Sequence, residues 1–126
     1  MKWFEELPEQ CPPADAEPAN GMYYRIVGGI PSKTEDYFSQ RRLQPTKTFH
    51  GEGIDECVIR SVSLFDSIDA ATKRLLLPKF RTHKVAVVQL EEKDGVVKKT
   101  FGPSHYSWWR TEEFDYTKAK LVTDEE

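Results

Sequence analysis

Residues 84–101, KVAVVQLEEKDGVVKKTF, carry the decision about the fold. Two runs of β-forming residues, Lys84–Leu90 and Gly95–Phe101, flank EEKDG, and Asp-Gly between apolar runs is a turn signal with a mechanism: both residues tolerate a positive φ. The stretch therefore predicts a β-hairpin. Upstream, DSIDAATKRLLL (66–77) places Asp66 or Ser67 as an N-cap and an acid at Asp69. Its apolar stripe of Ile68, Ala71, Leu75 and Leu76 has helical spacing, and Pro78 closes it. Before that helix, CVIRSVSLF (57–65) alternates as a strand does. Val58, Arg60, Val62 and Leu64 point one way, and Cys57, Ile59, Ser61, Ser63 and Phe65 the other.

The remaining elements follow from the same signals. MYYRIV (22–27) is rich in β-formers and ends at Gly28-Gly29, which predicts the first strand. SKTEDYFSQRRLQ (32–44) has Ser32 three residues before Glu35, the capping-box spacing, and predicts a short helix with Tyr37, Phe38 and Leu43 on one side. Residues 45–56 form a loop. HYSWW (105–109) reads as a further strand, FDY (114–116) as an edge, and the charged tail 117–126 as an end that frays. Residues 1–20 hold four of the eight prolines and several acids, so they read as an irregular arm that Trp3, Phe4 and Leu7 pin to the domain. The sum is one α+β domain over 21–126, with a twisted, mostly antiparallel sheet and two short helices outside it.

At 126 residues the chain holds one core. Seven Phe, five Tyr and three Trp supply bulky groups in a sequence that is only 38% hydrophobic, so the core is expected to be aromatic-rich. The net charge is −3, with lysines and arginines scattered, which argues against a stable nucleic-acid complex. Cys11 and Cys57 form neither a disulfide framework nor a zinc-ribbon spacing, and a reducing compartment suits them. No apolar run has the length to span a bilayer, and no cleavable signal pattern opens the chain. A cytoplasmic protein is expected, with delivery into another cell by a route needing no cleavable signal left open.

Several residues have the chemistry for a site. Arg25, in the middle of a strand between Tyr24 and Ile26, either reaches water on an exposed face or grips a phosphate or ribose at the sheet's edge. Ser61 and Ser63 share a strand face with Phe65, but no Gly-x-Ser-x-Gly elbow supports a hydrolase triad. His50-Gly-Glu52 has the His-x-Glu spacing of zinc deaminases without the Pro-Cys-x-x-Cys that should follow, so no metal site is expected. His83 reads as a surface residue. His105 follows a Gly-Pro turn beside Tyr106, Trp108 and Trp109. These aromatics are either core, with His105 capping the loop, or the wall of a pocket for a planar ring. Gln89 and Glu91 lie two residues apart on one side of a strand, at the turn.

Three of these segments, YYRIV (23–27), SVSLFDS (61–67) and SHYSWW (104–109), resemble in order and wording the small ADP-ribosyltransferase-like toxins that bacteria deliver into competitors by type VI secretion. The resemblance covers about a quarter of the chain, and Arg60-Ser61 stand where that family has a glycine. It implies an NAD-binding fold in which Arg25, beside Tyr24, clamps the diphosphate or ribose and Ser63 with Phe65 lines the nicotinamide side. His105 and Tyr106 form the late polar block, with Trp108 in the pocket wall and Glu91 as the candidate catalytic carboxylate. A toxin of that kind implies an immunity or antitoxin partner. The competing expectation is a non-catalytic binding module, itself an immunity or antitoxin protein, that covers a partner with exposed Trp108 and Trp109 and with its Pro-rich arm.

Overall fold

β-branched and aromatic residues set the strand β2, Gly21–Val27, in the middle of the molecule, and its alternation buries Tyr23 and Val27 in the main core. The computed structural model describes residues 1–29 and 31–122. Around β2 lie β1 (Glu17–Pro18), β3 (Val62–Phe65), β4 (Lys84–Leu90), β5 (Gly95–Lys99), β6 (His105–Arg110) and β7 (Lys120–Leu121). They form one seven-stranded sheet in the order β1-β5-β6-β3-β2-β4-β7, antiparallel at every step. Three helices accompany it: α1 (Gln40–Leu43), α2 (Glu56–Ile59) and α3 (Ile68–Arg74), with single 3₁₀ turns at Thr34–Tyr37, Pro78–Phe80, Glu92–Asp94 and Tyr116–Lys118. The α+β class and the antiparallel sheet agree with the sequence reading.

The connection from β4 to β5 forces the sheet to fold over. Four interstrand steps separate these strands, roughly 19 Å in a flat sheet, and the register sets their joined ends about 25 Å further apart along the strands. The five residues from Leu90 to Gly95 reach at most roughly 18 Å, and less with a 3₁₀ turn among them. The sheet must therefore close on itself. It bends at β2 and β3, which share one registered pair, Tyr24 and Phe65, where the neighbouring ladders run for four pairs or more. One half, β1-β5-β6-β3, contributes Val62, Leu64, Val97 and Trp108 to the main core; the other, β2-β4-β7, contributes Tyr23, Val27, Ala86, Val88 and Leu90. A second cluster of Phe65, Ala71 and Val85 lies under α3.

The hairpin expected at 84–101 is absent, because Asp94 and its neighbours are held by β6. The Asp94 carboxylate accepts the Glu91 N–H at 2.8 Å. Its carbonyl accepts the Trp108 indole N–H at 3.1 Å and the Thr111 N–H at 3.0 Å. The Thr111 hydroxyl donates to the Lys93 carbonyl. Asp-Gly thus ends one strand and starts another on the far half of the sheet. Gly95 sits at φ 131°, and a Cβ there would lie 2.1 Å from the Trp109 carbonyl oxygen.

Two other elements differ from expectation. Residues 57–59 are helical, since Asp55 caps the Val58 N–H at 2.8 Å and Glu56 is gripped by Arg41 and Arg60; the strand begins only at Val62. The helix expected over 32–44 splits at Phe38, which is extended. Asp36 turns back to accept the N–H groups of Gly28 and Lys33, Tyr37 enters the core, and Ser39 opens a fresh turn as the N-cap of α1. Leu43 is exposed rather than packed beside Tyr37. The helix expected over 66–77 forms as the shorter α3 with Ser67 as its cap; Leu76 of the expected stripe lies beyond it and is exposed. Phe114 is buried in the core and no strand forms at 114–116; the outer strand is β7, and residues 123–126 of the tail lie outside those described.

The N-terminal stretch is stitched to the domain. Trp3 bridges Thr111, Phe4 packs on Phe38 and beneath the Arg110 guanidinium, Glu5 accepts from the N–H and hydroxyl of Ser39, and β1 pairs with β5. Cys11 and Cys57 are joined in a disulfide, which corrects the expectation of two unpaired thiols suited to reducing surroundings. No described helix is long and apolar enough to cross a membrane.

Candidate functional site

Just beyond the Tyr24–Phe65 pair β2 and β3 part, and Arg25 occupies the wedge. Its Nε donates to the Asp36 carbonyl at 2.9 Å and its Nη1 to the Ser63 carbonyl at 2.9 Å. The guanidinium thus takes the place of the ladder bonds that the diverging strands lack. Nη2 donates to no protein group among the described residues, and Arg25 lines the cleft that the wedge opens. Burial pulls its pKa down to about 10, with Tyr37 and Asp36 opposing, so the cation persists at neutral pH.

The cleft has a volume of about 450 Å³, within the range of small-molecule sites. Ser61, Ser63 and Phe65 supply one wall from β3 and its approach. His105, opposite Phe65 in the β3–β6 ladder, supplies the next. The imidazole is 8% exposed and meets the rings of Phe65 and Phe101 at 5.4 and 5.5 Å between centroids. Its Nδ1 lies 3.1 Å from the Thr100 carbonyl and 3.0 Å from the Thr100 hydroxyl. A carbonyl can only accept, so the tautomer that satisfies it carries the proton on Nδ1 and leaves Nε2 a free acceptor. Burial lowers the His105 pKa, the Thr100 carbonyl opposes that, and Arg74 and Arg25 lower it further.

The rest of the lining comes from residues to which the sequence reading gave no role. Arg74, at the end of α3, sits over the Phe65 ring, and Lys79 and Phe80 come from the following 3₁₀ turn. His83, expected at the surface, also lines the cleft; its ring meets Phe80 edge-on and its buried Nδ1 has no partner among the described residues. Among the described residues two carboxylates line the cleft. Asp36 is committed to backbone N–H groups, whereas Glu35, next to it, is exposed and uncommitted among the described residues. The capping-box spacing that drew attention to Glu35 assigned it to a helix start, which hid it as a site residue.

Of the eight residues proposed from sequence, Arg25, Ser63, Phe65 and His105 meet in this cleft and four do not. Trp108 is 0% exposed, its ring edge-on to Phe114 in the core, so it has no surface for a ligand. Trp109 is equally buried, its indole N–H on the Cys57 carbonyl at 2.9 Å. Neither tryptophan can form the partner surface expected of a binding module. Tyr106 alternates away from His105 and packs edge-on against Tyr23, and Tyr24 packs against the cluster under α3. Glu91 is exposed in a separate groove with Gln89, Lys93 and Glu113, 3.8 Å from the Lys93 ammonium. A catalytic role for Glu91 beside Arg25 is therefore set aside. Comparison with protein-family models, curated proteins and solved structures found no match to this chain.

Proposed function

We propose that the cleft binds NAD and that the chain is an ADP-ribosyltransferase-like enzyme that cleaves the nicotinamide–ribose bond. What supports the reading is one observation: Arg25, Ser63 and His105, from three segments far apart in sequence, line a single cleft with cationic and aromatic walls. Arg25 Nη2, with Arg74 and Lys79 nearby, suits a diphosphate. Phe65, with Arg74 over its ring, would line the nicotinamide side, Ser63 offers a hydroxyl, and His105 Nε2 an acceptor for a ribose hydroxyl. Glu35 is the carboxylate left free to stabilise the oxocarbenium-like sugar. It would then accept the proton of the water or acceptor hydroxyl that bonds to C1′, as the glycosidic electron pair leaves with nicotinamide. In a toxin setting an immunity protein would be the partner.

The test separates binding from cleavage. Calorimetry with NAD should give binding for wild type and for Glu35→Gln, and loss of about tenfold or more for Arg25→Lys. Nicotinamide release should fall about a hundredfold or more in Glu35→Gln, the size expected for losing one positioned acid–base or charge-stabilising group. An absence of NAD binding by wild type sinks the reading. NAD binding without cleavage leaves a nucleotide-binding protein and removes the transferase.

A further inference from the structure

The run from Thr72 to Lys84, TKRLLLPKFRTHK, contains Lys73, Arg74, Lys79, Arg81 and Lys84 and no acid, in a chain whose net charge is −3. All five cations are exposed. Between them Leu75 turns inward to the cluster under α3, while Leu76 and Leu77 turn outward, Leu76 with 82% of its surface in water and Leu77 with 40%. These leucines are not on a loose loop. Successive turn bonds fix the backbone: Leu76 N–H to Lys73, Leu77 N–H to Arg74, Phe80 N–H to Leu77 and Arg81 N–H to Pro78. A hydrogen-bonded turn thus holds two apolar side chains out into solvent, within a run that carries five exposed cations.

From this we propose that residues 73–84 dock the protein on an anionic lipid surface, with Leu76 and Leu77 in the headgroup–acyl boundary and Lys73, Arg81 and Lys84, which lie outside the cleft lining, over the phosphates. Charge complementarity selects an anionic surface, and the leucines select a bilayer over a nucleic acid, which offers them nothing to enter. Two cations of this run, Arg74 and Lys79, also line the cleft. Docking would therefore bring the cleft to the membrane face. The inference does not depend on what the cleft binds.

Sedimentation with vesicles of phosphatidylcholine, with and without phosphatidylserine, tests it. Wild type should co-sediment with the anionic vesicles alone, and less as salt rises. Removing one cation, as in Lys73→Gln or Arg81→Gln, should weaken binding about fivefold, and Leu76→Ser with Leu77→Ser should weaken it about tenfold or more. All these positions are exposed, and unchanged thermal unfolding of each variant verifies the fold. Two outcomes overturn the proposal. One is no binding to anionic vesicles at low salt. The other is binding that the leucine double variant keeps and a DNA oligonucleotide competes away, which would make the patch a general polyanion contact.

Discussion

Arg25 ties two strands with one guanidinium. Its bonds to the Asp36 and Ser63 carbonyls hold the parting strands β2 and β3, while Nη2 donates to no protein group among the described residues. Lysine keeps the charge and loses the fork, so Arg25→Lys should lower unfolding stability by about 1–3 kcal/mol in urea titrations through an unsatisfied carbonyl. His105 makes the second prediction. Its folded pKa is depressed from 6.5, so below about pH 6.5 the unfolded chain binds the extra proton first. Stability should therefore fall as pH drops from about 6.5 towards the folded pKa, and His105 should add no slope above that window. His105→Gln should flatten the slope, and NMR titration of the imidazole should place its midpoint below 6.5. Arg25 and His105 were both readable in the sequence as chemistry out of place: a cation inside a strand and an imidazole after a fixed turn. Glu91 was misread because polar spacing along a strand does not say which groove that strand faces.

Gly95 tests the crossing between β4 and β5. An alanine there meets the Trp109 carbonyl oxygen and must also hold φ near 131°. Gly95→Ala should then cost more than about 3 kcal/mol by chemical denaturation, far above an ordinary glycine-to-alanine change in a hairpin turn. The Cys11–Cys57 disulfide spans 46 residues and joins the arm to α2. Replacing both cysteines by alanine should lower stability by roughly 2–4 kcal/mol, seen as a lower Tm that reductant no longer shifts. α3 could be recognised from sequence because its cap, stripe and terminating proline all act locally. The crossing could not, because Asp-Gly is equally good at turning a hairpin and at fitting beneath a neighbouring strand, and the bonds that decide come from Trp108 and Thr111. Residues 57–59 misled in the same way, since a four-residue helix held by Asp55, Arg41 and Arg60 leaves no periodicity to detect.

Across the molecule, the alternating strand residues gave away the class and much of the core, and three short segments gave away half of the residues proposed for the site. What stayed hidden was the fold of the sheet, which depends on the mismatch between a short connection and a long separation rather than on any residue type. The folding-over also explains why both tryptophans of HYSWW are interior: β6 lies between β5 and β3, with one sheet face on the core and the other against α2. β6 is the last long strand in the sequence and takes a central place, and its far end holds Lys2, Trp3 and Phe4 through Arg110, Thr111 and Glu112. On the ribosome, then, β3 and β5 wait with open edges, and Lys2, Trp3 and Phe4 lack their backbone partners, until about residue 112 has left the exit tunnel. A nascent chain halted before that point should remain protease-sensitive from end to end, and one a few residues longer, once free of the tunnel, should become resistant in a single step.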